Sequence, residues 1–141
     1  MTRNSWALCA AVLAVVIVVA LAFWNIGSPA YERLVHQDMR TEQTLTTLAE
    51  GINSKWQNSN RVLPSNLDAF SASATHDPVT HEPFVFHPKA GTQYELCATF
   101  LTDNLRDSSV QTPFWRHPKG PYCFQFDAAL PVASPPAWYP Y

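Results

Sequence analysis

Residues that could carry chemistry are thinly spread along this chain, and the cysteines are the most informative of them. The stretch YELCATF, residues 94–100, alternates apolar and polar positions as a half-buried strand does. Its cysteine, Cys97, lies on the polar side together with Glu95 and Thr99. A thiol in this position can be a nucleophile, a metal ligand or half of a disulfide, and each role implies a different compartment.

A second cysteine repeats this placement. In YCFQF, residues 122–126, the aromatic side chains share one face, so Cys123 falls on the other. If the two strands are neighbours, Cys97 and Cys123 come close enough for a disulfide, with a Cα spacing typically about 5.5–6 Å. Such a bond persists in an oxidising compartment, which predicts a domain outside the cytoplasm. The alternative is two reduced cysteines in a cytoplasmic domain. Cys9, inside an apolar run, is interpreted as a small packing residue.

The remaining residues that could carry chemistry do not indicate any particular reaction. The five histidines have neither helical i, i+4 spacing nor CxxC partners, so we interpret them as surface residues: His36, His76, His81, His87 and His117. No glycine-rich phosphate loop and no nucleophile elbow occurs in the sequence. The carboxylates Asp103 and Asp107 fall in a polar loop. The sequence therefore predicts no catalytic residue, no cofactor and no metal site, and hence no enzyme.

Composition narrows the possible functions and the number of domains further. The chain has 141 residues and a formal net charge of −2, so it carries no basic excess to neutralise phosphates, and we expect no nucleic-acid partner. Outside its apolar N-terminal run it has room for one domain of roughly 100 residues.

The N-terminal run from Trp6 to Trp24 contains nineteen residues and no charge. As a helix rising about 1.5 Å per residue it matches the roughly 30 Å of a bilayer core, which predicts a single transmembrane helix. Trp6 at one end and Phe23 with Trp24 at the other are typical of interfacial aromatic belts, and we expect them to contact partners and lipid. A cleaved signal peptide and a buried core helix are the alternatives.

Charges flanking this run do not choose an orientation, because Arg3 lies on one side and Arg33 and Arg40 on the other. The predicted disulfide does. It favours a cytoplasmic N-terminus and a C-terminal domain on the oxidising side of the membrane.

The rest of the sequence predicts an α+β domain. Ser28-Pro29 begins a long amphipathic helix over about residues 29–57, packed best from Leu45 onward. RVLPSNLDAF predicts a short helix capped by Ser65. HEPFVFHP, Gln93–Phe100 and Tyr122–Asp127 predict three short antiparallel strands, and 101–121 a loop. The aromatic face of this sheet needs the helix to cover it. These apolar residues are predicted to form the core: Leu45, Leu48, Ile52, Trp56, Tyr94, Leu96, Ala98, Phe100, Phe124 and Phe126.

The C-terminal stretch PVASPPAWYPY is rich in proline and ends in Trp138, Tyr139 and Tyr141. One interpretation is a disordered tail. The other is a segment that docks on a partner, because extended proline-rich segments lose little entropy on binding and aromatic residues are frequent interface anchors. The three aromatic residues are therefore predicted to bind a partner.

This order of elements resembles the pilin-like proteins, especially the major pseudopilins of type II secretion. The resemblance is carried by RVLPSNLDAF, DPVTHEPFVF and TQYELCATF after a long helix, over roughly residues 30–100. YELCATF and the later YCF also resemble a bacterial set of membrane-anchored proteins with the same cysteine pair. The resemblance implies a pilin-like fold and a bacterial inner membrane. The chain departs from the pilins because residues 1–24 contain no glycine and the apolar run has no glutamate, the two marks of prepilin processing and filament pairing.

Together these features predict three regions: a transmembrane anchor at 1–27, a periplasmic pilin-like α+β domain at 28–130 and a tail at 131–141. The predicted function is a non-catalytic, single-pass accessory subunit that packs on integral membrane subunits of a secretory, respiratory or photosynthetic complex. A divergent pseudopilin-like component of a secretion or uptake machine is one alternative. A periplasmic ligand-binding module is another.

Overall fold

The computed structural model describes residues 3–26, 29–106 and 112–135, with the surroundings of side chains in the first helix described for residues 6–22. The chain forms two compact units, Met1–Arg33 and Leu34–Tyr141. The predicted domain boundaries at residues 27 and 130 stay predictions.

The first unit contains helix α1, Arg3–Ile26. From Trp6 to Ala22 it carries no charged residue, and every one of these side chains is exposed. Within the part of the chain that the structure describes, no helix combines the length and the apolar character needed to cross a membrane.

Helix α2, Pro29–Asn58, spans almost the predicted range. Proline at its first position and Glu32 in its first turn suit a helix N-terminus, where amide hydrogens lack partners and the helix dipole favours negative charge. The helix ends where Asn60 and Arg61 adopt φ of 52° and 60°, and the Arg61 N–H closes the end by donating to the Trp56 carbonyl.

The helix predicted in RVLPSNLDAF does not form. The Asn66 side chain donates to the Asp68 carboxylate at 2.6 Å and accepts from the Asp68 N–H at 3.3 Å. This local ring competes with helical hydrogen bonds, which explains the wrong prediction. A single short helix follows instead, α3, Ala72–Thr75.

Three antiparallel strands form one sheet in the order β1-β2-β3, with bounds Val85–Pro88, Gln93–Phe100 and Gly120–Asp127. β1 lies at an edge, as its flanking prolines predict. Gly91 occupies the β1–β2 turn with φ of +74°, which an L side chain rarely adopts. The predicted strands are thereby confirmed, with β3 beginning two residues earlier.

The core lies between α2 and one face of the sheet. The predicted core residues are buried or packed against it, and the apolar buried positions of α2 begin at Leu45. Tyr94 and Phe126 stack with ring centroids 5.4 Å apart, and Phe100 meets Phe124 edge-on at 5.7 Å. The fold is thus an α+β arrangement of a long helix and a three-stranded antiparallel sheet.

Candidate functional site

The two predicted cysteines meet across the sheet. Cys97 of β2 lies directly opposite Cys123 of β3, and the two form a disulfide with their Cα atoms 3.9 Å apart. This is closer than the spacing of about 5.5–6 Å that is typical of disulfides. The predicted disulfide is confirmed, and it lies on the sheet face opposite α2.

The surface around the disulfide is mainly polar. Lys89 forms an ion pair with Glu95 at 2.9 Å, and Gln125 donates to the same carboxylate at 3.3 Å. Cys123 is exposed and Cys97 partly so. The bond therefore joins β2 to β3 from the solvent side, while the aromatic core holds them from the other.

Helix α1 presents the largest exposed apolar surface among the described residues. Residues 15–19, VVIVV, are all between 47% and 65% exposed, and five successive helical positions at about 100° each point to every side of the helix. Trp6 is 73% exposed. The side chains of Phe23 and Trp24, and the whole of Trp138, Tyr139 and Tyr141, lie outside the described residues, so their predicted contacts stay predictions.

A group of buried polar side chains lies on α2 one turn before the apolar core. Asp38 is 3% exposed, and its carboxylate accepts hydrogen bonds from the Leu101 N–H at 2.8 Å and from the Thr102 N–H and hydroxyl at 2.7 and 2.6 Å. Thr41 donates to the buried Asp77 at 2.6 Å. The first set of hydrogen bonds fastens the loop that follows β2 to α2, and the second fastens the loop that contains Asp77. In both, the acceptor is a carboxylate, which makes the hydrogen bonds strong.

Next to Asp38 lies a buried acid and imidazole. His117 Nε2 is 3.2 Å from Glu42 Oε1, and the two side chains are 1% and 2% exposed. The approach lacks the alignment of a hydrogen bond, so His117 Nε2 has no hydrogen-bond partner. The other carboxylate oxygen, Glu42 Oε2, has none either. The imidazole stacks on Phe100 with centroids 3.9 Å apart, and its Nδ1 is 3.2 Å from the Pro118 carbonyl oxygen. Burial raises the pKa of Glu42; the neighbouring His117 opposes this rise and Asp38 adds to it.

His117 corrects the prediction that all five histidines are surface residues, because it is 0% exposed. His36, His81 and His87 are exposed, as predicted, and His76 is partly buried. The segment around His117 has no periodic pattern, so its burial left little signal in the sequence. Phe114 and Trp115 beside it were the available hint, since two adjacent aromatic residues in a loop need a core to join.

Trp115 shows how this loop enters the core. It lies in a 3-10 turn, Pro113–Trp115, is 0% exposed, and packs against Phe124 with centroids 4.8 Å apart. Its indole N–H donates to the Ala133 carbonyl at 3.2 Å, and the Asn53 amide donates to the Leu130 carbonyl at 3.0 Å. The segment Leu130–Ala133, which we term the strap, is therefore fastened to the domain from two sides.

A groove of about 430 Å³ lies between the strap and the end of the sheet. It is lined by aromatic, amide and charged side chains together with the strap, including Lys89, Phe114, Gln125, Phe126, Asp127 and Val132. Hydrogen bonds from Thr92 and from the Ala129 N–H hold the pKa of Asp127 below its usual value. Among the described residues no group of three histidine, cysteine, aspartate or glutamate side chains could hold a metal ion.

Comparison with protein-family models, with curated proteins and with solved structures found no match to this chain. The resemblance to pilin-like proteins therefore stays a prediction, and the function has to be argued from the chain itself.

Proposed function

We propose that this protein is a non-catalytic, single-pass membrane subunit whose N-terminal helix and periplasmic domain pack on a larger membrane complex. The observation that carries the proposal is the surface of α1. Its described side chains, residues 6–22, are uncharged and exposed all round the helix. A helix that is apolar on every side has no face to turn towards water.

The sequence continues this surface beyond the described side chains. With Phe23 and Trp24 the uncharged run reaches nineteen residues, or about 29 Å at 1.5 Å per residue, close to the roughly 30 Å of a bilayer core. The proposed surroundings of α1 are therefore lipid and the transmembrane helices of partner subunits, with Trp6, Phe23 and Trp24 at the two interfaces.

The disulfide supports the proposed side of the membrane. A partly exposed Cys97–Cys123 bond persists where no cytoplasmic reductant reaches it, so we place the domain in the periplasm and the N-terminus in the cytoplasm of a bacterial inner membrane. In the sequence the strap is followed by Trp138, Tyr139 and Tyr141, which we assign to partner contacts because aromatic residues are frequent interface anchors.

The test is purification of the tagged full chain from its own membranes in a gentle detergent, followed by mass spectrometry. A matched control carries the residues of positions 7–22 in scrambled order, which preserves membrane insertion and removes specific helix packing. The proposal expects integral membrane subunits in fixed stoichiometry with the native chain and their loss from the control. A native chain that runs alone contradicts it.

A second candidate is a divergent pseudopilin-like component of a secretion or uptake machine. The observation in its favour is the long helix packed on a three-stranded antiparallel sheet, which is the arrangement that the resemblance implies. Mass spectrometry of the mature N-terminus separates the two. Cleavage within the first dozen residues favours the pilin-like component, whereas an intact N-terminus favours the accessory subunit.

A further inference from the structure

The outer edge of β3 carries backbone groups that no described residue bonds. β3 has β2 on one side only, because the order of the strands is β1-β2-β3. Directly after β3 the Ala128 N–H donates to the Thr92 carbonyl at 2.8 Å, in register with the pairing of the two strands. Bonding residues alternate along an antiparallel ladder. The even-numbered residues of β3 therefore bond to β2, and the odd-numbered ones direct their N–H and C=O groups away from it.

These outward groups form a nearly regular row. Three N–H groups and three carbonyls are open to an added strand: the N–H groups of Cys123, Gln125 and Asp127 and the carbonyls of Pro121, Cys123 and Gln125. The row has one gap at each end. Proline at position 121 has no N–H, and the Asp127 carbonyl already accepts from the Leu130 N–H at 3.0 Å.

The opposite edge of the sheet is protected, in contrast to β3. β1 has four residues and ends in Pro88, and Pro83 lies shortly before it. Just before β1 the Phe84 N–H is occupied, because it donates to the Thr75 carbonyl at 2.8 Å. Short strands and prolines are common means of preventing strand addition at an edge. β3 has eight residues, and its stretch 122–126 contains neither a proline nor a charge, so this edge is left open for strand addition.

We propose that β3 binds β3 of a second copy of this chain, antiparallel and with the two-fold axis at Phe124, so that the two three-stranded sheets become one. In this register Cys123 exchanges two hydrogen bonds with Gln125 of the second copy, and symmetry repeats the pair. The Asp127 N–H donates to the Pro121 carbonyl of the second copy. The missing N–H of Pro121 faces the one carbonyl that already has a partner, that of Asp127. Every outward group of β3 is then bonded.

A second copy is the occupant that this pattern favours, because the two gaps match each other only in the register described above. A two-fold axis at Cys123 would place Pro121 opposite Gln125, whose carbonyl would then find no donor. An axis at Gln125 would place the Cys123 N–H opposite the Asp127 carbonyl, which is already bonded. Both shifts leave outward groups without a good partner, which is costly in an interface.

The side chains of β3 suit the same register. On the core side Tyr122, which is partly exposed, faces Phe126 of the second copy. On the polar side Asp127 faces Pro121 of the second copy, so no like charges lie directly opposite each other. The groove between the strap and the sheet is lined by Gln125, Phe126 and Asp127, so open space adjoins this end of β3.

The experiment compares Gln125→Pro with Gln125→Thr in the full chain, by sedimentation velocity in a mild non-ionic detergent over a range of protein concentrations. Both changes remove the side-chain hydrogen bond to Glu95, but only proline removes the outward N–H. Proline is tolerated in an edge strand where the N–H faces away from the ladder, so the pairing with β2 should persist.

We expect the native chain and Gln125→Thr to form dimers. Gln125→Pro removes two hydrogen bonds from each dimer, each worth about fivefold, so its dissociation constant should rise by about 25-fold or more. A native chain that is monomeric at every concentration overturns the proposal. So does a folded Gln125→Pro that dimerises as tightly as Gln125→Thr.

Hydrogen exchange of the backbone amides in the native chain keeps the test open should Gln125→Pro fail to fold. We expect the N–H groups of Cys123, Gln125 and Asp127 to exchange more slowly as the protein concentration rises. The N–H of Phe86, which points away from β2 on the opposite edge, is the control and should exchange rapidly throughout. Rapid exchange of the three amides at every concentration overturns the proposal. Slow exchange that is independent of concentration overturns it too, because another part of the same chain would then cover the edge.

Discussion

Removal of the Cys97–Cys123 bond is the change whose effect on the free energy of unfolding can be calculated most directly from the structure. The two cysteines are 26 residues apart in sequence. In the chain-entropy treatment, closing a loop of that length lowers the conformational entropy of the unfolded chain. This raises the free energy of the unfolded state by about 3.5 kcal/mol at 25 °C. The double change Cys97→Ser with Cys123→Ser is therefore expected to lower the free energy of unfolding by about that amount.

Urea unfolding of the full chain in mild detergent measures this loss. With a slope of about 1.5 kcal/mol per molar urea, the midpoint should fall by about 2 M. The near-UV circular dichroism before unfolding should stay native, because the aromatic core lies on the other face of the sheet. Cys9→Ser is the matched control and should leave the midpoint unchanged.

Two results would refute this reasoning. A midpoint shift below about 0.5 M would mean that the bond does not restrict the unfolded chain as the loop-closure treatment requires. Loss of the native near-UV spectrum without denaturant would mean that the core depends on the bond, against the separation of the two faces.

Three further substitutions probe the core and its polar contacts, each read as a change in the free energy of unfolding from urea titration. Ile52→Ala, at a fully buried position, should cost about 2–5 kcal/mol, whereas Val62→Ala, at a position 64% exposed, should cost little; equal costs would contradict the described core. Asp38→Ala removes the acceptor of three hydrogen bonds and should cost about 3 kcal/mol, with Glu50→Ala near neutral as its control. Tyr94→Phe removes a buried hydroxyl that donates at 2.7 Å to a side-chain amide oxygen and should cost about 1–3 kcal/mol; a neutral result would show that this hydrogen bond contributes nothing.

The elements with regular periodicity could be predicted from the sequence. The strand Gln93–Phe100 shows period two with aromatic residues on one side, and the structure places its bounds at the same residues. Leu45, Leu48 and Ile52 recur at helical spacing, and all three are buried. Equivalent cysteines on the polar sides of two strands were enough to predict the disulfide, because neighbouring antiparallel strands bring equivalent faces together.

Contacts made by irregular segments could not be predicted in the same way. His117 and Trp115 are buried because a loop folds back over the core, and no period in the sequence marks such a loop. In the sequence Asp38 is one more polar residue of an amphipathic helix. Only the folded chain brings the N–H and hydroxyl of Thr102 within hydrogen-bond distance of its carboxylate. The helix expected at Ser65 fails for a local reason, the Asn66–Asp68 ring, which competes with the capping pattern.

The proposed membrane anchor is tested most directly by extraction of native membranes with alkaline carbonate. This treatment releases peripheral proteins and retains those whose helices cross the bilayer. If α1 is the proposed transmembrane helix, the full chain stays in the membrane pellet, and Val15→Arg with Val16→Arg, which places two charges in the middle of the run, moves it to the supernatant. Release of the native chain into the supernatant would contradict the account.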